Sequence, residues 1–233
     1  MRYSYYEIYI TAQRAFRAMG FPFGADEDAG FIIAWLELNK FNGIKILHNL
    51  INSIDQQYNG VVKIDNLKDK IDFKNHTILM KGSGLIDYLQ SMASREEKIS
   101  VIIKNCSDGI LFLPLLYKIS KKIDYLELSF NNSKNEINTY KIQNKEIAFE
   151  SKINQGMLLN KEVRIIINCN KRILKNFAQE KIITQKIIQE NLSQSINAKE
   201  DLWGKISKIA NKTFVPESDE SRNKGAGGGD AND

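Results

Sequence analysis

Cysteine and histidine are nearly missing from this chain. Two cysteines (Cys106, Cys169) and two histidines (His48, His76) in 233 residues form no C-x-x-C and no Cys/His cluster. Neither a disulfide framework nor a zinc site of the usual ligand spacing is therefore predicted, and no metal is assigned. Long apolar runs are missing too. The longest, ILFLPLLY at 110–117, falls far short of the roughly 20 residues a membrane helix needs. The opening MRYSYYEIYI lacks a basic stretch followed by a smooth apolar segment, so no secretory signal is expected. These absences together predict a soluble protein of the reducing cytoplasm, without a membrane partner.

Familiar nucleophilic chemistry is also missing. A Ser-His-Asp arrangement would have to recruit His48 or His76, and the chain contains no G-x-S-x-G elbow. His48 falls in an apolar helical pattern and His76 beside an expected strand, so both are read as structural or exposed. Cys106 and Cys169 each end an apolar run, which predicts inert buried thiols. The net charge of +5 comes mostly from lysine. Its densest stretch, KEVRIIINCNKRILK (161–175), contains no aromatic residue, which argues for a solvated basic face and against nucleic acid.

What is there is a chain with 42% hydrophobic residues, long enough to bury its own core. Ser4-Tyr5-Tyr6-Glu7 has the form of a capping box, and Ile8, Ala12, Ala15 and Met19 follow at helical spacing until Gly20 and Pro22. A second helix is predicted from about Asp26, with Asp26, Glu27 and Asp28 in its first turn and an all-round apolar body, FIIAWLEL. GIKILHNLINSI (43–54) gives a third. VVKID (61–65), HTILM (76–80) and ISVIIKN (99–105) are then expected as strands, and GSGLIDYLQSM (82–92) as a short helix with Ser83 near its start. Pro114 opens another helix. YLELSF, INTYKI and EIAFES form an antiparallel meander, VRIIIN (163–168) a further strand, and 199–211 a last helix.

The predicted class is α+β: a helical N-terminal layer packed with a mixed or largely antiparallel sheet. Residues 1–216 read as one domain, helical over 1–58 and sheet-rich over 59–216 with a C-terminal helix. A Gly-rich tail follows at 217–233. The repeated IIKNC (102–106) and IIINC (165–169) stand either for a duplicated unit or for two buried strands of an Ile- and Asn-rich chain.

Two glycine-bearing stretches are candidates for anion binding. Lys81-Gly82-Ser83-Gly84 reads either as a tight turn with Ser83 as N-cap or as a set of free amides at a helix start. In the tail, Gly225, Gly227, Gly228 and Gly229 could turn several amides toward one anion, with Ser221 and Arg222 beside them. A polar glycine-rich terminus is equally the composition of a disordered one.

The stretch Ala12 to Gly20, followed by Phe21-Pro22-Phe23-Gly24-Ala25-Asp26-Glu27-Asp28-Ala29-Gly30 and Trp35, resembles the opening of a bacterial family known only as a domain of unknown function. The matching residues are Arg17, Gly20, Gly24, Glu27, Ala29, Gly30 and Trp35. The end is similar as well, with Phe214, Pro216, Ser221-Arg222, Gly225-Ala226-Gly227, Gly229 and Asp230-Ala231-Asn232-Asp233. The last three residues depart from that family's D-N-D. The resemblance implies that the tail is a motif and singles out Glu27, but it brings no activity. The first two helices also resemble the start of the malate/lactate dehydrogenase family that is not of Rossmann type. That family relies on a catalytic His and a G-H-x-S-H-G stretch, which this chain lacks, so no activity is carried across.

Two functions are expected from these residues. One is binding of an anionic small molecule in metabolism, with Arg17, Ser221, Arg222, Gly225 and Gly227 as ligand-binding candidates and Glu27 as candidate acid/base. Glu27 is otherwise a helix-start charge or a partner for Arg14 or Arg17. The other function is that of a non-catalytic accessory subunit whose tail docks on a protein partner. The cofactor is left open.

Overall fold

The computed structural model describes residues 1–64, 70–131, 136–149, 159–169 and 181–214. The tail candidates Ser221, Arg222, Gly225 and Gly227 lie outside the described residues. Three helices open the chain after a two-residue strand, β1 (Arg2–Tyr3). α1 (Tyr5–Ala18) starts in the capping box read from the sequence: the Ser4 hydroxyl accepts from the Glu7 amide, and Glu7 reaches back to the Ser4 amide at 2.7 Å. α2 (Ala25–Leu38) is apolar nearly all round and is buried accordingly, with Ile32, Ile33, Ala34, Trp35 and Leu36 inside. Gly20 and Gly24 take φ of +87 and +86, which is why glycine recurs where the chain turns from α1 into α2. α3 (Gly43–Ile54) turns Ile44, Leu47, Ile51 and Ile54 inward.

The rest builds a seven-stranded mixed sheet in the order β2-β3-β7-β4-β5-β6-β8. Its strands are β2 (Ile71–Asp72), β3 (Lys98–Ser107), β4 (Tyr125–Asn131), β5 (Ile137–Gln143), β6 (Glu146–Phe149), β7 (Leu159–Asn168) and β8 (Lys181–Ile183). Among the ladders of the described residues the β2–β3 pair is parallel, joined through α4 (Ile78–Ala93), and the others are antiparallel. The register aligns buried residues into rows. Ile99, Ile167, Leu126, Ile142 and Ile147 follow one another across five strands, and Val101, Ile165, Leu128, Tyr140 and Phe149 form the next row. Each such side chain contributes roughly 1.5–3 kcal/mol of burial. A one-residue slip would turn every row to solvent, so the alternation fixes the pairing. The IIKNC and IIINC segments lie on neighbouring antiparallel strands, with Ile103 opposite Val163.

α5 (Phe112–Ile119) carries Pro114 in its first turn, as expected. α6 (Gln185–Leu192), β9 (Ile196–Asn197) and α7 (Glu200–Ala210) end the described chain, with β9 paired to β1. One apolar cluster runs from Ile8 through the sheet to Ala210. Among the described residues no helix is long and apolar enough to cross a membrane.

The stretch around residue 80 corrects the sequence reading. HTILM is not a strand: Thr77 caps the start of α4, its hydroxyl accepting from the Leu79 amide at 3.3 Å, and Ile78, Leu79 and Met80 are its first turn. Gly82, Ser83 and Gly84 are therefore inside a 16-residue helix and not at its start. Gly82 leaves room both for Ile78 of its own helix and for α5. A Cβ would come to 2.6 Å of Ile78 Cγ2 and 3.2 Å of Leu115 Cδ1. Residues 61–64 of the expected VVKID strand have no ladder partner, and Val61 is exposed.

Candidate functional site

Arg17 and Glu27, the described candidates from the N-terminal motif, do not converge. Arg17 donates from Nε to Asp26 Oδ2 at 2.8 Å, and its terminal nitrogen lies 2.7 Å from the same oxygen. Asp26 is fully buried and also accepts the Glu27 amide at 2.9 Å through Oδ1. The Arg17 guanidinium stacks over Phe23 at 4.3 Å. The carboxylate that Arg17 meets is thus Asp26, while Glu27 is exposed on the first turn of α2. Both residues are fixed by how α1 turns into α2: the glycine turn brings the end of one helix beside the start of the next.

A different group of polar side chains does converge, where α4 begins. β2 and β3 run parallel there, and the chain leaves β2 through Phe73 to His76 before α4 starts at the carboxyl ends of both strands. The edge is pinned by backbone bonds from Phe73 to Lys104 (3.0 Å) and from Asn75 to Asn105 (2.8 Å). Asp72 Oδ1 ties the two loops together, accepting from the Lys74 amide at 2.7 Å and from Asn105 Nδ2 at 3.0 Å. Those bonds hold the Asp72 carboxyl below the usual carboxylate range.

Beside this edge is a cavity of about 330 Å³, lined by Lys74, Asn75, His76, Thr77 and Ser107, by Ser53 and Gln57 from the end of α3, and by apolar Leu50, Ile54 and Met80. Among the described residues no carboxylate lines it, and the first turn of α4 holds no acidic residue. Four of the seven buried polar or charged residues among those described, Thr77, Lys81, Ser107 and Asp108, belong to this corner. Ser107 is nine-tenths buried and forms part of the cavity wall.

His76 Nδ1 is 3.0 Å from the Phe73 carbonyl oxygen. A carbonyl only accepts, so Nδ1 carries the proton and Nε2 is the acceptor in the neutral ring. One turn into α4, Lys81 is buried with its ammonium 5.9 Å from the centre of the Phe73 ring. Burial first, and then Lys74, hold its pKa below the ordinary lysine value, against the pull of Asp72. The corner can thus offer positive potential, hydroxyl donors and one imidazole to a small anion with an apolar body.

The remaining expected roles are placed simply. His48 is half-buried on α3, and its Nδ1 has no partner among the described residues. Burial raises the Cys106 thiol to about 12, and Cys169 donates to the Ala93 carbonyl oxygen at 3.2 Å. Among the described residues no group of three or more His, Cys, Asp or Glu could hold a metal ion. Sequence reading missed Lys74, His76, Thr77 and Ser107 as a group because it took residues 76–80 for a strand. The signal was present in Thr77 followed by the apolar spacing Ile78, Leu85, Ile86 and Leu89.

The architecture is shared with a set of dehydrogenases. It matches a dehydrogenase from Sinorhizobium meliloti with a TM-score of 0.66 at 9% identity, covering 90% of this chain and 99% of that one. Sulfolactate dehydrogenase from Methanocaldococcus jannaschii matches with a TM-score of 0.60 at 10% identity, covering 91% and 97%. Malate dehydrogenase from Pyrococcus horikoshii OT3 gives 0.61 at 9%, covering 92% and 96%. At such identity the likeness is one of fold. In sequence, residues 3–78 match the family described as "Protein of unknown function (DUF3726)". No curated protein matches the chain by sequence.

Proposed function

We propose that this chain binds a small organic anion in the cavity at the start of α4. The observation that carries the reading is the makeup of the cavity at the start of α4: Lys74, His76, Thr77 and Ser107 line it, no acidic residue is among its described lining, and the first turn of the helix holds none. Ligands of sheets with parallel strands bind at the carboxyl ends of those strands, which is where β2, β3 and α4 meet. Leu50, Ile54 and Met80 favour a ligand with a short apolar body over a bare inorganic ion. Two of the matched structures are named for sulfolactate and malate, both small hydroxy-carboxylates, and a carboxylate of that size suits the cavity. The setting is cytoplasmic small-molecule metabolism. If the bound anion reacts, His76 is the group that can exchange a proton, through Nε2.

Thermal-shift titration of the full chain with L-malate, lactate and inorganic phosphate tests the reading. A ligand-dependent rise in Tm that is lost in Lys74→Ala supports it. Equal shifts in the parent and in Lys74→Ala would remove the cavity from consideration. The second reading, an accessory subunit that docks on a protein, is favoured by Phe23, which is 80% exposed at the tip of the α1–α2 turn. Pull-down with Phe23→Ser against the parent chain separates the two.

A further inference from the structure

We infer that the chain's own C-terminal segment, residues 215–233, docks in the groove between α1 and α7. This groove, about 390 Å³, is lined among others by Tyr3, Tyr6, Ile10, Arg14, Trp203 and Phe214. It is an aromatic surface left open: Tyr6 is 67% and Phe214 53% exposed, while Trp203 is buried. Tyr3 packs on Trp203 with ring centroids 5.2 Å apart, and the Arg14 guanidinium lies 4.6 Å from the centre of the Phe214 ring. Glu7, the carboxylate in the lining, is tied to the amide and hydroxyl of Ser4 at 2.7 and 2.8 Å at the start of α1, while Arg14 lies two turns further along beside Phe214.

Phe214 is both a wall of the groove and the last described residue, so the following residues start out within it. Val215 and Pro216 come next and supply apolar contact. Glu217, Asp219 and Glu220 then follow, opposite in charge to Arg14 and to the exposed Lys208 and Lys212 at that end of α7. Nineteen residues remain after Phe214 (233 − 214 = 19), and at about 3.3 Å per extended residue they are ample to cover α1, whose turns rise only about 1.5 Å per residue. A tether this short gives the segment an effective concentration of order millimolar at the groove. That favours it over a second copy of the chain at ordinary protein concentrations. The inference does not depend on the cavity at α4, and either can fail alone.

Hydrogen exchange read by mass spectrometry on the full-length chain tests it. Amides of residues 217–222 are expected to exchange at least tenfold slower than in a free peptide of the same sequence. Arg14→Glu, an exposed substitution, should return them to the free rate while amides of the core keep their protection. Reversal of the three acids (Glu217→Lys, Asp219→Lys, Glu220→Lys) should do the same, and the combined variant should recover part of the protection. Free-peptide rates in the parent chain would overturn the inference, as would protection indifferent to both sets of substitutions. Protection that grows with protein concentration would overturn it too, by assigning the groove to another copy.

Discussion

Two long helices of this molecule begin under opposite electrostatic conditions. α2 starts with Asp26, Glu27 and Asp28 in its first turn, and Asp26 is itself neutralised by Arg17. α4 has no acid in its first turn and follows directly on Lys74 and His76. The partial positive charge of a helix N-terminus meets acidic side chains in the first case and only the neutral Thr77 cap in the second. The comparison separates a motif whose charges are paired within the fold from the corner where anion binding is proposed. The residues that look most like a signature, Arg17 and its acidic neighbours, belong to the first kind.

The largest effect is expected where that internal satisfaction is removed. Breaking a buried charge pair from one side costs roughly 3–5 kcal/mol, but Arg17 is 38% exposed and can rehydrate. Asp26→Ala should therefore lower stability by about 2 kcal/mol, read by urea unfolding, without altering anion binding. A smaller loss, about 1 kcal/mol, is expected for Thr77→Ala, which removes the cap of α4 and a wall of the cavity together. Unlike Asp26→Ala, it should weaken binding as well.

The contrast is sharpened by giving α4 an acid of its own. Asn75 lies just ahead of α4 at φ +61, a conformation that aspartate also adopts. Asn75→Asp should stabilise the fold by about 0.3–1 kcal/mol while opposing any anion in the cavity. The smallest effect concerns the other end of α2, where the Glu37 carboxylate is half-buried and accepts the Ile44 amide at 2.9 Å. Burial raises its pKa above the ordinary value, against that hydrogen bond. A raised carboxyl pKa means stability that is full below the unfolded pKa and declines as pH rises through the folded one. Glu37→Gln should accordingly gain on the order of 0.5 kcal/mol at pH 7 and almost nothing at pH 4, read as Tm at both.

Much of the fold was legible because periodicity and punctuation agreed. The Ser4–Glu7 box, the acidic start of α2 and the alternation of β4 through β7 each had one consistent reading. The corner at α4 was not legible, because HTILM has the composition of a strand and Gly82 and Gly84 the look of a break. What decides it is packing: a Cβ at Gly82 would meet Ile78 of the same helix at 2.6 Å and Leu115 of α5 at 3.2 Å, so glycine suits the helix interior there. The short parallel strand β2 was equally hidden, since two residues carry no period. Without β2 there is no parallel edge in the sequence, and without that edge Lys74, His76 and Ser107 are three unrelated residues.

Calorimetric titration of L-malate and of inorganic phosphate into the full-length chain, run beside Lys74→Ala and Asn75→Asp, tests the open corner most directly. The account predicts one anion per chain, weakened by salt and at least tenfold weaker in both variants, although Asn75→Asp is the more stable protein. Binding that is unchanged in both variants, or absent for both anions at millimolar concentration, would contradict it.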